Sequence, residues 1–332
     1  RVELVDPVME WRPLCLLKAA LCVEQLGARR VAVSLPPSGE PEEPESDSPV
    51  RLPEVRVPIS IQVAELDLGR VTVNEFLVLD EARFTGDLSG SGLTIEDFSV
   101  VRDSLRAGLS GSLQLTGEWP VDAQLELEYR LSDGDYPGTL DLTSTVSGTV
   151  SELAVNADIR TPWKAQLSGV VRPLAPGYPL DVSLRADRFR ATPALKETLI
   201  LNQVVIEAHG DLDHGWRVAG NADINTRPAL PLSVTGHVDL EGADIERISV
   251  RDGPGRHLRI TGGSVGWSDG LSASGSLDWS HFPWHRLMPD LETPPVALEK
   301  AGLMFALNGG RYHGDLDAWL STPGGPLGVN TA

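Results

Sequence analysis

LQLTGEWPVDAQLELEYRL, residues 113–131, is the stretch whose reading decides the fold. Its odd positions (Leu113, Leu115, Gly117, Trp119, Val121, Ala123, Leu125, Leu127, Tyr129, Leu131) are apolar or small, and the even positions between them (Gln114, Thr116, Glu118, Pro120, Asp122, Gln124, Glu126, Glu128, Arg130) are polar or proline. Successive side chains of an extended chain point to opposite faces, so the stretch has one greasy face and one wet face. A typical strand has about five or six residues. Nineteen positions in one register therefore predict a broad sheet that is two-faced throughout. What covers the greasy face decides what the protein does.

The same period runs outward from there. It recurs at Ile59/Ile61/Val63, Leu66/Leu68, Val71/Val73, Leu77/Leu79 and Phe84/Gly86/Leu88, then at Leu140/Leu142, Leu153/Val155/Ile159, Leu180/Val182/Leu184, Val218/Gly220/Ile224, Leu232/Val234/Val238, Leu271/Leu277 and Leu303/Phe305. Asp133-Gly134, Asp213-His214-Gly215 and Ser268-Asp269-Gly270 punctuate it as turns. Glycine recurs on the apolar face, as in GSLQLTGEWPVDAQLELEYRL and LSVTGHVDLEGADIERISV. Removing bulk there lets a sheet bend, so the expected sheet is curved. Some twenty strands at about 4.8 Å spacing would extend on the order of 100 Å.

Three segments are expected. Residues 1–35 hold a short helix over 11–20 (WRPLCLLKAA), with proline near its start, and two strands around Gly27 over 21–35. Residues 36–58 are an acidic, proline-rich loop (Pro36, Pro37, Pro41, Pro44, Pro49, Pro53, Pro58, with Glu40, Glu42, Glu43, Glu45 and Asp47) that cannot bury enough apolar surface to order itself. Residues 59–332 are continuous strands. The chain opens at Arg1 in mid-pattern, which suggests a fragment trimmed of a targeting segment or membrane anchor.

Composition narrows the function. Lys+Arg is 28 against Asp+Glu 47, a net charge of −19, which repels phosphate backbones and makes nucleic acid an unsuitable partner. Hydrophobic content is 41% but aromatic content only 5%, so the greasy face is smooth and aliphatic. Few aromatics and 25 prolines argue against a transmembrane barrel, whose lipid face carries aromatic girdles. Cys15 and Cys22 are too few for a disulfide framework and are either free thiols or one bridge. His281 and His285 in SHFPWHR have i,i+4 spacing but enclose Pro283 and lack the converging ligands of a metal centre. The sequence contains no phosphate loop. The expectation is a protein that is not an enzyme and needs neither metal nor cofactor. Alternation alone leaves two architectures open: paired sheets closed as a sandwich, or an unsealed trough.

Residues add what periodicity cannot. VELVDPVMEWRPLCLLKAALCVEQLGARRVAVSLPP, with its Trp-x-Pro-Leu, short helix, paired strands and acidic proline-rich loop, resembles the N-terminal region of the TamB family. ISIQVAELDLGRVTVNEF is similar to the strand-turn-strand after that loop, and SLDWSHFPWHR with LMFALNGGRYHGDLDAWLS resembles the family's repeat strands. The resemblance implies an AsmA-like, bridge-like lipid transfer architecture: an all-β, elongated, curved, mostly antiparallel sheet folded into a taco-like trough that spans the periplasm. It also implies an inner-membrane anchor before these residues and a TamA-type outer-membrane barrel partner engaged by regions after them. On that reading phospholipid acyl chains occupy the trough. Its lining would be Leu113, Leu115, Val121, Leu125, Leu127, Tyr129, Leu140, Leu142, Leu153, Val155, Ile159, Val182, Leu184, Val218, Ile224, Leu232, Val234, Val238, Leu303 and Phe305. The alternative function is a scaffold or chaperone-like surface for outer-membrane proteins, pairing their strands with an exposed sheet edge.

Overall fold

The structure is a computed structural model that describes residues 2–34, 52–74, 76–131, 138–190, 199–268, 271–287 and 296–331. Among the described residues the chain is almost all β, with short 3-10 turns that include Pro13–Lys18 and Trp284–Arg286. It divides into two compact units, Arg1–Pro162 with Leu167–Tyr178 and Trp163–Gln166 with Pro179–Ala332.

The strands of the first unit are β1 (Val2–Val5), β2 (Val8–Arg12), β3 (Ala20–Val33), β4 (Ser60–Val73), β5 (Phe76–Leu79), β6 (Glu81–Ser89), β7 (Gly92–Arg102), β8 (Leu105–Gln114), β9 (Pro120–Leu131), β10 (Gly138–Thr149) and β11 (Glu152–Thr161). The unit boundary falls within β12 (Ala165–Val171). Pairing is antiparallel from β4 through β6, β7, β8, β9 and β10 to β11, and β1 and β2 both pair antiparallel with β3. β3 and β4 are parallel, with Leu21 beside Ile61 and Val33 beside Val73. A parallel pair needs a long crossover, which the segment between these strands supplies. Of the expected loop 36–58, residues 36–51 lie outside the described part. Residues 52–58 form no strand but lie against the hairpin tips: Val55 N–H donates to the Leu115 carbonyl (2.9 Å) and Val57 N–H to the Gly90 carbonyl (2.7 Å).

The N-terminal elements differ from expectation in detail. The short helix is a six-residue 3-10 turn, Pro13–Lys18, between β2 and β3, ended by Ala19 in the left-handed conformation (φ 53°). Cys15 and Cys22 form a disulfide across it. Residues 20–33 are one strand rather than two, because Gly27 is an in-strand glycine and not a turn. A Cβ at Gly27 would lie 2.9 Å from the Asp67 carbonyl oxygen on the parallel neighbour.

The deciding stretch is likewise not one strand. It is the β8–β9 hairpin, turning through residues 115–119 with Gly117 (φ 65°) and Trp119 (φ 53°) in left-handed conformations. The alternation survives the turn because odd residues pair with odd: Leu113 with Val121, Leu109 with Leu125, Leu105 with Tyr129. The indole N–H of Trp119 donates to the Pro53 carbonyl (3.1 Å), clamping the strap of residues 52–58 to the hairpin tip.

The second unit is an antiparallel meander of β13 (Leu180–Phe189), β14 (Leu201–Asp211), β15 (Gly215–Ile224), β16 (Leu230–Val238), β17 (Gly242–Arg251), β18 (His257–Gly266), β19 (Ser272–Ser280), β20 (Ala297–Asn308), β21 (Arg311–Thr322) and β22 (Gly325–Thr331), each paired with the next. Its sealed core is small. Ile224, Leu230, Val250 and Phe282 cluster at one end of the strands, covered by the segment 282–287. Arg286 holds that cover in place through an ion pair to Asp252 and a bond to the Pro228 carbonyl. The Trp279 ring meets Phe282 edge-on at 5.4 Å.

Candidate functional site

Reading the register strand by strand turns the period-two pattern into rows that cross the strands. In the first unit four rows run through eight strands, from β3 to β11. The first is Leu21, Ile61, Leu88, Leu93, Leu113, Val121, Gly148, Leu153; the second is Val23, Val63, Gly86, Ile95, Gly111, Ala123, Val146, Val155. The third is Leu26, Leu66, Phe84, Phe98, Leu109, Leu125, Ser144, Ala157; the fourth is Ala28, Leu68, Ala82, Val100, Ala107, Leu127, Leu142, Ile159. Seven inter-strand spacings make each row about 34 Å long.

These rows keep one face because the strands bulge together. The register shifts between Val63 and Leu66, between Thr85 and Gly86, and between Ile95 and Phe98, always between the second and third rows. An extra residue in a strand bends it and restores the facing of the residues beyond it. Glycine fits there: a Cβ on Gly86 would sit 2.4 Å from the Thr94 carbonyl oxygen, and one on Gly111 would sit 2.3 Å from that of Asp122.

The four rows are not sealed. Every leucine, isoleucine and phenylalanine in them is half-buried, except Leu26, which is exposed. The buried members are mostly small: Val23, Ala28, Ala82, Gly86, Ala157 and Ser144. Among the described residues both clusters of buried hydrophobic side chains lie in the second unit. A sandwich would bury such rows under a second layer.

The second unit repeats the arrangement. Leu184, Ile206, Gly220, Val234, Ile248, Ile260, Leu277, Leu303 and Leu316 form one row across nine strands. Val182, Ala208, Val218, Gly236, Ile245 and Gly263 form another. Leu180, Gly210, Trp216, Val238, Ala243 and Val265 form a third, and Phe305 lies between Gly275 and Gly314.

The sequence-predicted lining therefore falls into place unevenly. Leu113, Val121, Leu125, Leu127, Leu142, Leu153, Val155 and Ile159 share the first unit's rows, and Tyr129 and Leu140 pair with each other beside them. Leu115 lies in the hairpin turn, where its carbonyl accepts from Val55. Val182, Leu184, Val218, Val234 and Leu303 join the second unit's rows. Ile224 lies in the sealed cluster, and Leu232 packs against its edge. Sequence reasoning missed Phe98 and Ile248, which lie beside register shifts where parity flips, whereas Leu258/Ile260 was legible as an alternating pair. It also missed Phe282, only 2% exposed, whose buried partners Ile224, Leu230 and Val250 are far away in sequence.

The wet face is equally ordered. Arg106, Glu126, Glu128, Asp141 and Arg160 line a hollow of about 580 Å³ on it; such charged walls suit water and not hydrocarbon. In the second unit His281 pairs with Glu299 (2.9 Å). Among the described residues no group of three or more His, Cys, Asp or Glu is placed to hold a metal ion. No described helix is long and apolar enough to cross a membrane.

Among the described residues two acids, both at hairpin tips, are shifted from the usual carboxylate range. Asp211 is held below the usual carboxylate range chiefly by the His214 backbone N–H (2.7 Å), then by the His214 ring, and Asp239 by the N–H groups of Glu241 and Gly242 (2.8 Å each). These carboxylates close turns and lie outside the apolar rows.

No curated protein and no solved structure matches the chain. A family model described as TamB, N-terminal domain, matches residues 1–78 and 50–294. With aligned, unsealed apolar rows and a family match over most of its length, the chain belongs to the TamB family.

Proposed function

We propose that the apolar rows carry phospholipid acyl chains between the two membranes of a Gram-negative envelope, with the polar head groups travelling in water along the open side. The observation that carries this reading is the four apolar rows of the first unit, interrupted only by glycines and Ser144, whose large side chains apart from Leu26 are half-buried and without a covering layer among the described residues. Each methylene exposed to water costs about 0.8 kcal/mol, so a diacyl lipid faces a barrier on the order of 20 kcal/mol in an aqueous gap. A row about 34 Å long exceeds the depth of one leaflet, which is about half of a ~30 Å hydrocarbon core. Such rows lower the barrier and supply no driving force, so the reading requires no catalytic chemistry. Family membership and the Cys15–Cys22 disulfide support a periplasmic setting, since disulfides persist in oxidising compartments. A longer form of the chain would be anchored in the inner membrane and would meet a TamA-type barrel at the outer one.

The test places photo-crosslinking side chains at Leu125 and Leu127 on one face and at Gln124 and Glu126 on the other. Lipid adducts are expected from the leucine positions only. Adducts of equal yield on both faces would remove the reading. Protein adducts concentrated along an edge strand, without lipid, would favour an assembly scaffold instead.

A further inference from the structure

The first unit carries an apolar corner that its own fold leaves bare. In the Pro13–Lys18 turn, Leu14 is 76% and Leu17 85% exposed, and Leu16 is exposed beside them. On the adjoining edge strand β2, Met9 pairs with Leu26 and Trp11 with Val23, so the third and second rows begin at Met9 and Trp11. Both are exposed too, at 61% and 42%. The rows thus end in open apolar side chains next to a leucine-tipped turn.

We propose that this corner dips into the surface of a phospholipid bilayer and is where lipid is taken up into the rows; the uptake half of the proposal rests on the conduit reading above. Three observations favour a bilayer over a protein partner. The leucines stand on a convex six-residue turn, which fluid hydrocarbon can surround without a matching groove. The Cys15–Cys22 disulfide ties the turn to β3, so Leu14 and Leu17 are held outward rather than free to fold back. The charge also differs locally. Residues 8–24 carry Arg12 and Lys18 against Glu10 and Glu24 and so balance, in a chain of net charge −19. Arg12 pairs with Glu24, whereas Lys18 has no ion pair among the described residues. An anionic membrane repels most of this chain and accepts this corner, where leucines, a tryptophan and a lysine form the usual interfacial set.

The test is flotation of the purified 332-residue chain with vesicles of phosphatidylcholine and phosphatidylglycerol (7:3). The chain should float. Leu14→Ser/Leu17→Ser should partition about tenfold less, whereas Leu271→Ser/Tyr312→Ser, which removes comparably exposed side chains elsewhere, should float as the parent does. All four substitutions are at exposed positions, and circular dichroism checks that each variant is folded. A parent chain that does not float, or a Leu14/Leu17 variant that floats undiminished, overturns the proposal. The crosslinks at Leu125 and Leu127 separate the two ideas. Lipid adducts there with flotation indifferent to Leu14 and Leu17 reject the corner and keep the conduit. Flotation that depends on the leucines without row adducts keeps the corner as a membrane contact and rejects the conduit.

Discussion

Leu127 faces Ala107 on one neighbouring strand and Leu142 on the other, half-buried and under no second layer among the described residues. Leu230, 1% exposed, sits in the sealed cluster with Ile224, Val250 and Phe282. The same substitution should therefore act differently at the two sites. Leu127→Glu keeps its carboxylate near water and should cost less than about 2 kcal/mol, while abolishing lipid adducts at Leu125. Leu230→Glu strands a charge without a partner and should cost about 3–5 kcal/mol. Urea unfolding of both variants decides it, and equal costs would mean that the rows are closed. Asp211 makes a second residue-scale prediction. Its carboxylate pKa is depressed in the folded chain, so its contribution to the β14–β15 turn is complete above the unfolded pKa. That contribution is lost as pH falls below about 4. The protection factor of the His214 amide, its exchange rate corrected for the intrinsic rate at each pH, should fall over that acid range and not between pH 5 and 8.

At the scale of elements, the small residues of the second row set how closely strands approach. Gly111 has φ 152° and no room for a Cβ beside the Asp122 carbonyl and the Ala123 backbone. Gly111→Ala should cost about 1–3 kcal/mol, measured as a lowered urea midpoint, whereas Gly117→Asn, in an open left-handed turn, should cost less than about 1 kcal/mol. The same geometry governs how much was legible in sequence. Alternation marked β9, β10, β11 and β15 because they keep period two over their length. It joined β8 to β9 as one strand, since an odd-numbered turn leaves parity intact. It divided β3 and β4 into pieces, since each flips parity at bulges while staying one strand. A bulge is a relation between two strands, and a single strand's pattern shows only its aftermath.

For the whole molecule, the apolar face and its all-β character were legible, because they depend on which residue types alternate. Two features were not: the parallel β3–β4 pairing and the segment 282–287 that caps the second unit's sealed cluster. Both join residues far apart in sequence, and neither leaves a periodic trace. The Cys15–Cys22 bond was one of two readings of the same spacing, and only the hairpin-like return of β3 beside the turn chose between them. The transverse rows have one more consequence. On the conduit proposal, cargo moving along a row would step from strand to strand across hydrogen bonds, so neighbours on its path would be strangers in the chain. Along the second row the successive stations are residues 23, 63, 86, 95, 111, 123, 146 and 155. A deep mutational scan for failed passage should therefore plot as the teeth of a comb, narrow peaks separated by tolerant gaps the length of a hairpin arm, rather than as one damaged segment.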